Sequence, residues 1–458
     1  MAREILTSPP ALPARILPAV LYAFIRAVVG AALRLFYKVR LAGSSAPLEG
    51  PVMFVGNHPN ALVDPALVFV VTPRHVTFLA KAPLFRMPVL AQLLKGIGAL
   101  PVYRKQDNPT MMAQNEGTLE AAAGALVEGR AITIFPEGRS HSEPQLGELK
   151  TGAARIALRA VKQGAPVRIV PVGLTYAEKD RFRSEVLIQV GEPIDARAFG
   201  DASDAQAARA LTDAIAEGLR RVTLNLGAWE DLPLLQTAEA LYALRVGERA
   251  RDPDRLRLFA RGAQLLRSEQ PERYDQVREE LLDFQRRLAI GRASPSDLAL
   301  EYRPTQVAWF VLRNLAMLLF GLPLVALGLV AFWLPYQIPS WLTDFQKPEL
   351  DMVATVKLLA AMVVAPMWLL VLALVFWWKL GVVAAVLVIV LALPLALFTR
   401  YFVEHWQSVL SDVRVFFTLG NRARTKALLM AEGERLSTEL ERLATELGPR
   451  VNPTAPAT

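Results

Sequence analysis

Three long apolar runs constrain the fold of this 458-residue sequence more than any other feature. They cover residues 315–335, 358–378 and 380–398. As helices that rise about 1.5 Å per residue, the runs each reach roughly the 30 Å thickness of a bilayer's hydrocarbon core. A helix buried in a soluble protein seldom stays apolar on all sides over such a length. The runs therefore predict a transmembrane region, placed at residues 305–402.

The charges beside these runs bear on the number of crossings. The flanks before and after them are rich in arginine, whereas the loop 336–357 holds Asp344, Glu349 and Asp351 against two lysines. The positive-inside rule places both arginine-rich flanks in the cytoplasm, which two crossings satisfy and three do not. Because only Lys379 separates the last two runs, either these runs form a re-entrant hairpin or the N-terminal helix also crosses. Both arrangements remain open.

The N-terminal segment, residues 1–44, contains an apolar helical stretch that carries arginines. Arg15, Arg26 and Arg34 fall on roughly one side of a helix. This pattern favours a helix that lies in the membrane interface with its arginines towards the headgroups. The alternative is a first helix that packs on its own domain.

Short apolar runs alternate with helical patterns between residues 45 and 200. This alternation predicts an α/β domain with a mixed, mostly parallel sheet, in which chemistry is expected in loops beyond the strand ends. We predict a charged helical subdomain at residues 201–304, and an amphipathic helix with a disordered tail at 403–458. The predicted strands cover residues 52–55, 76–79, 99–102, 131–135, 167–172 and 186–190.

Composition narrows the class of function. The chain is 53% hydrophobic, carries a net charge of +8 and contains no cysteine. The missing cysteines exclude disulfides, thiol nucleophiles and cysteine-based zinc sites. A basic chain suits nucleic acid, an anionic membrane face or phosphorylated substrates. The hydrophobicity and the lack of a nucleic-acid-binding motif favour the last two partners over nucleic acid.

The segment Gly-Asn-His-Pro-Asn-Ala-Leu-Val-Asp-Pro at residues 56–65 follows the first predicted strand of the α/β domain. His58 in such a loop, with Asp64 shortly after it, suits a general base and the carboxylate that orients it. The free ring nitrogen could take a proton from a hydroxyl as that hydroxyl attacks a thioester. Direct transfer of this kind requires no serine nucleophile.

Three further segments stand at strand ends. Phe-Pro-Glu-Gly-Arg-Ser-His at 135–141 offers Gly138 for close backbone approach and Arg139 as a fork for phosphate. Residues 98–105 end on two cations, and residues 170–174 read Val-Pro-Val-Gly-Leu.

In this order and spacing, the four segments resemble the motifs of the phospholipid/glycerol acyltransferase family over residues 45–195. Two details depart from its common pattern. The first motif is His-x5-Asp rather than His-x4-Asp, and the third lacks the threonine that commonly precedes its arginine. Both departures resemble the subgroup that acylates glycerol-3-phosphate or dihydroxyacetone phosphate.

The resemblance implies a role in phospholipid biosynthesis and a set of site residues. The donor would be acyl-CoA or acyl-ACP as co-substrate, with no other cofactor and no metal. The acceptor would be glycerol-3-phosphate, dihydroxyacetone phosphate or 1-acylglycerol-3-phosphate. His58 and Asp64 would be catalytic, at the cytoplasmic face. The implied substrate-binding residues are Asn57, which also orders the loop, Arg104 for the acceptor phosphate, Glu137, Gly138 and Arg139 around the acceptor, and Pro171 on the donor side.

Rival functions lack their expected patterns. A serine hydrolase of the elbow type would need Gly-x-Ser-x-Gly, which does not occur in the sequence. The four histidines lack metal-ligand spacing. A non-catalytic lipid-binding membrane protein or a transporter remains the alternative. Ionisable residues within membrane spans are typical of transport pathways, and the apolar runs carry few of them.

Overall fold

The computed structural model describes residues 19–47, 49–86, 88–103, 115–200, 205–248, 250, 252–290, 293–298, 304–420 and 423–451. The chain forms two compact units. The first consists of Met1–Leu224 with Gln346–Leu358, and the second of Asn225–Phe345 with Leu359–Thr458.

An eight-stranded sheet forms the centre of the first unit. Its strands are β1 (Tyr37–Gly43), β2 (Val52–Gly56), β3 (Val76–Lys81), β4 (Leu100–Val102), β5 (Ala131–Ile134), β6 (Arg168–Tyr176), β7 (Ser184–Val190) and β8 (Ile194–Asp195). Their order is β1-β7-β6-β2-β5-β3-β4, with β8 beside β6. Only the pairs β6–β7 and β6–β8 are antiparallel among these described strands. The predicted α/β class with a mixed, mostly parallel sheet is confirmed.

Six α-helices of the described chain surround this sheet. They are α1 (Ala19–Phe36), α2 (Val63–Val71), α3 (Pro88–Gly96), α4 (Asn115–Val127), α5 (Gly152–Lys162) and α6 (Ala205–Val222). The buried faces of α4, α5 and α6 share one hydrophobic core with strands β2, β5 and β6. Many of the residues in these faces are alanines, which let the helices approach the sheet closely. The core thus fixes the central strands whose ends carry the motif loops.

Two boundaries differ from the sequence-based expectation. Residues 37–43, assigned to the N-terminal segment, form β1 in parallel register with β7. This edge strand follows α1 directly, and only Tyr37 in it is buried, so no apolar run marks it. Helix α6 was expected in a separate helical subdomain, but Leu211, Ile215 and Leu219 bury it in the core of the sheet unit.

Helix α1 has two apolar faces. Tyr22, Leu33 and Phe36 are buried against the first unit, whereas Phe24 and Val28 are exposed. One face therefore packs on its own unit, and the other leaves an apolar stripe open. The interfacial position of the helix stays a prediction, and Arg15 lies outside the described residues.

The second unit is helical throughout its described part. Its helices are α7 (Leu232–Arg245), α8 (Pro253–Glu269), α9 (Pro271–Ile290), α10 (Pro295–Leu298), α11 (Pro304–Gln346), α12 (Val353–Leu380), α13 (Val382–Gly420) and α14 (Ala423–Val451). The last residue of α11 and the first part of α12, up to Leu358, belong to the first unit. Leucines along one face of α14 pack with α7 and α9 around the fully buried Phe284. Helix α14 lies in the segment 403–458 for which an amphipathic helix was expected, whereas residues 403–420 of that segment continue α13.

Three helices of this unit are long and apolar enough to cross a membrane. They cover Thr305–Gln346, Val353–Leu380 and Val382–Leu410. Each contains an 18-residue stretch whose mean hydropathy is 2.5, 2.7 and 2.9, respectively. Where α11 meets α13, Gly321 lies against Phe402 and Gly328 against Thr399. A Cβ at Gly328 would approach the Thr399 hydroxyl to 1.9 Å. Small residues at such crossings are typical of helices packed in lipid.

These helices generate a prediction about anchoring. Because their side chains are largely exposed and apolar, we expect the protein to remain in the membrane pellet through high salt and alkaline carbonate. Detergent should release it. The measurement is an immunoblot of pellet and supernatant, with a known peripheral protein as the control that carbonate removes. Recovery of this protein in the carbonate supernatant would refute membrane crossing.

Candidate active site

Loops from three neighbouring strands meet at one edge of the sheet. Strand β2 lies between β5 and β6 and runs parallel to both, so the carboxyl ends of all three point to the same edge. The loops that follow carry residues 57–62, 135–143 and 177–183. Three of the four motif segments are thereby brought together. The fourth, residues 98–105, contains β4, and its Arg104 and Lys105 lie outside the described residues.

The pair His58 and Asp64 stands at the centre of this edge. Nδ1 of His58 lies 2.8 Å from Oδ2 of Asp64, and the carboxylate is fully buried. A carboxylate only accepts hydrogen bonds, so Nδ1 carries the proton and Nε2 holds the lone pair in the neutral ring. The imidazole stacks on the Phe135 ring at 4.3 Å and keeps 19% of its side chain exposed. This geometry is compatible with the predicted role of His58 as a general base, which stays a prediction.

The loop between the pair explains the unusual motif spacing. Ala61 adopts the left-handed conformation with φ of 35°. The turn closes with a 2.9 Å hydrogen bond from the Val63 N–H to the Asn60 carbonyl, and α2 begins at Val63. Asp64 thereby returns to His58 although five residues separate them. The longer His-x5-Asp spacing is compatible with the paired geometry.

Asp64 accepts two further hydrogen bonds. The Asn60 N–H donates to Oδ2 at 2.6 Å, and the Tyr176 hydroxyl donates to Oδ1 at 2.6 Å. Burial and the charge of Asp64 raise the pKa of Tyr176 well above its usual value, so the hydroxyl stays a donor. The sequence analysis missed Tyr176, although it ends the strand that carries the Val-Pro motif. Its position two residues after that motif was the only signal.

Glu137 holds the loops of the site together. Its Oε1 accepts the His58 N–H at 2.9 Å, while Oε2 accepts the Gly147 N–H at 2.7 Å and contacts Nε2 of His141. Burial acts to raise the pKa of Glu137, but the hydrogen bond and charge of His141 outweigh it and the pKa lies below its usual value. The same contact raises the pKa of His141. Glu137 thus positions the backbone of His58.

Gly138 and Arg139 follow Glu137 and have different neighbours. Gly138 has a φ of 71°, and a Cβ there would meet Nζ of Lys150 at 2.9 Å. Lys150 therefore occupies space that only glycine leaves open. Arg139 is exposed and donates to Glu143 at 2.7 Å. Its predicted contact with an acceptor phosphate stays a prediction.

Asn57 and Pro171 both make contacts within the protein. The Asn57 amide donates to the Leu174 carbonyl at 3.0 Å and accepts its N–H at 2.8 Å. This pair of bonds orders the loop, as predicted for Asn57, and leaves its substrate contact untested. Pro171 is buried in β6 opposite Val55 and packs towards Gly191 and Gly218. The structure does not place its ring in the His58 loop, and its donor-side role stays a prediction.

Comparisons with known proteins find similarity in the part of the chain that carries these loops. Residues 38–175 match the family model described as Acyltransferase. Glycerol-3-phosphate O-acyltransferase 1 of Saccharomyces cerevisiae is 34% identical over 125 residues, which are 26% of this chain and 16% of the yeast protein. The 1-acyl-sn-glycerol-3-phosphate acyltransferase of Borreliella burgdorferi is 25% identical over 190 residues, covering 41% of this chain and 74% of the relative.

The likeness is confined to part of each protein. The chain spans less than a fifth of the length of the curated yeast relatives that it matches. The crystal structure of the 1-acyl-sn-glycerophosphate acyltransferase PlsC from Thermotoga maritima aligns with a TM-score of 0.32 and 20% identity. That alignment covers 42% of this chain and 76% of the solved one. The family match falls on the strands and loops that hold His58, Asp64 and Glu137, and residues 38–175 of this chain are therefore similar to the Acyltransferase domain.

Proposed function

We propose that this protein is a glycerolipid O-acyltransferase of phospholipid synthesis. It moves a fatty acyl group from acyl-CoA or acyl-ACP to a hydroxyl of glycerol-3-phosphate, dihydroxyacetone phosphate or 1-acylglycerol-3-phosphate. The observation that carries the proposal is the 2.8 Å contact from Nδ1 of His58 to the buried Asp64, which leaves Nε2 for a substrate. The family match of residues 38–175 supports the same reaction class.

The reaction is direct transfer in this proposal. Nε2 of His58 takes the proton of the acceptor hydroxyl while its oxygen attacks the thioester carbonyl carbon. Asp64 stabilises the imidazolium that forms and keeps the ring oriented. As the tetrahedral intermediate collapses, the carbon–sulfur bond breaks and the thiolate takes the proton from His58. The carbon–oxygen bond of the new ester remains, and no acyl-enzyme is formed.

The proposed substrates rest on the relatives of this domain. Relatives of this domain are named for acylating glycerol-3-phosphate and 1-acyl-sn-glycerol-3-phosphate. Arg104 is proposed to bind the acceptor phosphate as a charge-assisted pair. The three apolar helices indicate membrane association, and we propose that the catalytic unit faces the cytoplasm.

The proposal is tested by an acceptor panel on purified protein in detergent or lipid nanodiscs. Radiolabelled acyl-CoA and acyl-ACP are each offered with the three phosphorylated acceptors and with unphosphorylated glycerol. We expect ester product with at least one phosphorylated acceptor and little with glycerol. Binding of these lipids without ester formation under any combination would favour the non-catalytic alternative.

The base generates a sharper prediction. We expect His58→Ala to lose at least about a hundred-fold in turnover, the low end for a positioned general base. Asp64→Asn should also be severely impaired, because it removes the charge that orients the imidazole while it nearly keeps the shape. Initial rates at saturating substrates and the amount of membrane-inserted protein are measured together.

Matched controls separate chemistry from folding. Asp213→Asn changes an exposed carboxylate on α6 and should keep near-normal turnover. His75→Ala removes a histidine whose ring packs against Tyr22, and it should lose far less turnover than His58→Ala. Near-normal turnover of His58→Ala, or a covalently acylated wild-type protein trapped during the reaction, would contradict direct transfer.

Tyr176 generates a further prediction about the partner of the base. Tyr176→Phe removes the hydroxyl that donates to Asp64 at 2.6 Å. A hydrogen bond to a charged group contributes about 1.5–3 kcal/mol, which corresponds to roughly a ten- to hundred-fold lower kcat. KM for both substrates should change little. Tyr22→Phe is the matched control, since its hydroxyl bonds only backbone at the N–H of Val76 and the carbonyl of Arg74. Equal losses in both variants would remove Tyr176 from the site.

A further inference from the structure

The segment Gln346–Leu358, here termed the linker, belongs to the first unit and runs from the last residue of α11 into the first part of α12. Its buried residues are Asp351, Ala354, Thr355 and Leu358, all at most 8% exposed. They recur at the spacing of one helical face. Glu349 and Leu350 on the linker are exposed. The linker therefore docks on the catalytic unit by one defined face.

Thr355 contacts the loop that carries the base. Its hydroxyl accepts the N–H of Leu62 at 3.3 Å, in the turn between His58 and Asp64. The next N–H in this loop, that of Val63, is bonded within the turn itself. Thr355 thus satisfies a backbone donor in the segment that sets the distance between base and carboxylate.

Asp351 and Lys357 contact the two neighbouring loops. The Ser140 hydroxyl, two residues after Gly138, bonds to Oδ2 of Asp351. Nζ of Lys357 donates to the carbonyl and carboxylate of Asp180 at 3.0 and 3.2 Å. Each of the three loops at the edge of the sheet therefore has a polar partner on the linker.

The loops are also connected to each other beneath the linker. Nζ of Lys179 donates to the Pro59 carbonyl at 3.1 Å and to the Ser142 hydroxyl. Burial lowers the pKa of Lys179, while the charges of Asp351 and Asp64 act in the opposite direction. Asp351 is only 5% exposed. A carboxylate buried to this extent is costly unless it is paired or hydrogen-bonded, and its partners here come from the catalytic loops.

We propose that the linker is a positioning element of the active site and lies on the same face of the bilayer as the catalytic unit. The charge rule with two crossings would place residues 336–357 on the opposite face. The polar contacts of Asp351, Thr355 and Lys357 contradict that placement for the linker. In this proposal α11 therefore starts and ends on the face of the catalytic unit, and only α12 and α13 cross the bilayer. The positioning role rests on the proposed acyltransferase function, whereas the location of the linker does not.

Cross-linking tests the docking first. The chain has no cysteine, so every thiol in a variant is an engineered one. Ser140→Cys/Asp351→Cys should form an intramolecular disulfide under mild oxidation, because a side-chain hydrogen bond joins these positions. The measurement is the cross-linked peptide in mass spectrometry of membranes. Ser140→Cys/Asp213→Cys serves as the control pair and should stay reduced. Equal cross-linking of the two pairs, or none in the first, would overturn the docking.

Labelling tests the location of the linker. Single variants Glu349→Cys and Asp213→Cys place a thiol at exposed acidic positions of the linker and of α6. A membrane-impermeant maleimide is applied to right-side-out and to inverted vesicles. We expect both thiols to react from the same side. Reaction of Glu349→Cys only from the side opposite to Asp213→Cys would refute the proposal, whether or not the protein is active.

Kinetics test the positioning role. Thr355→Val keeps the shape but removes the hydroxyl that accepts the Leu62 N–H, and Thr355→Ser retains it. We expect Thr355→Val to lower kcat roughly three- to tenfold with little change in KM, and Thr355→Ser to restore most of the rate. Unchanged kcat in Thr355→Val, or equal losses in both variants, would overturn positioning by this hydroxyl. Absence of activity in the wild type would instead contradict the proposed function and leave the cross-linking and labelling results standing.

Discussion

The buried carboxylate of Asp64 is the constraint on which the rest of the site depends. An ion of this kind costs several kcal/mol to remove from water unless hydrogen bonds replace its hydration. Here the replacements come from the ring of His58, the backbone of Asn60 and the hydroxyl of Tyr176. These donors lie on one loop and on the end of β6. Satisfying the charge therefore requires strand, loop and base to be in place together.

The parallel arrangement of the central strands makes this meeting of loops possible. Chain segments that are 79 and 112 residues apart, from His58 to Glu137 and from Asp64 to Tyr176, become hydrogen-bonded neighbours at one sheet edge. A second buried carboxylate, Glu137, ties the loops after β2 and β5 to each other. The two carboxylates bind different parts of His58: Asp64 is hydrogen-bonded to its ring, and Glu137 accepts its backbone N–H.

The sequence predicted the features that depend on local pattern. Apolar runs bounded by turns indicated β2, β3, β5 and β6, and the spacing of His58 and Asp64 indicated that these two side chains pair. It did not predict β1, whose exposed face carries no apolar signal. It also did not predict the contacts of Tyr176, the backbone partners of Glu137 or the docking of Thr355, because each of these joins residues far apart in the chain. Such pairs become visible only when the topology is known.

The two hydrogen bonds between the Asn57 side chain and Leu174 have a consequence of their own. The amide imitates a peptide group and adds one more rung to the ladder between β2 and β6 after β2 has ended. The residue next to His58 is thereby hydrogen-bonded to β6. The conformational entropy of this loop is lost when the protein folds, so little of it is left to lose when substrates bind.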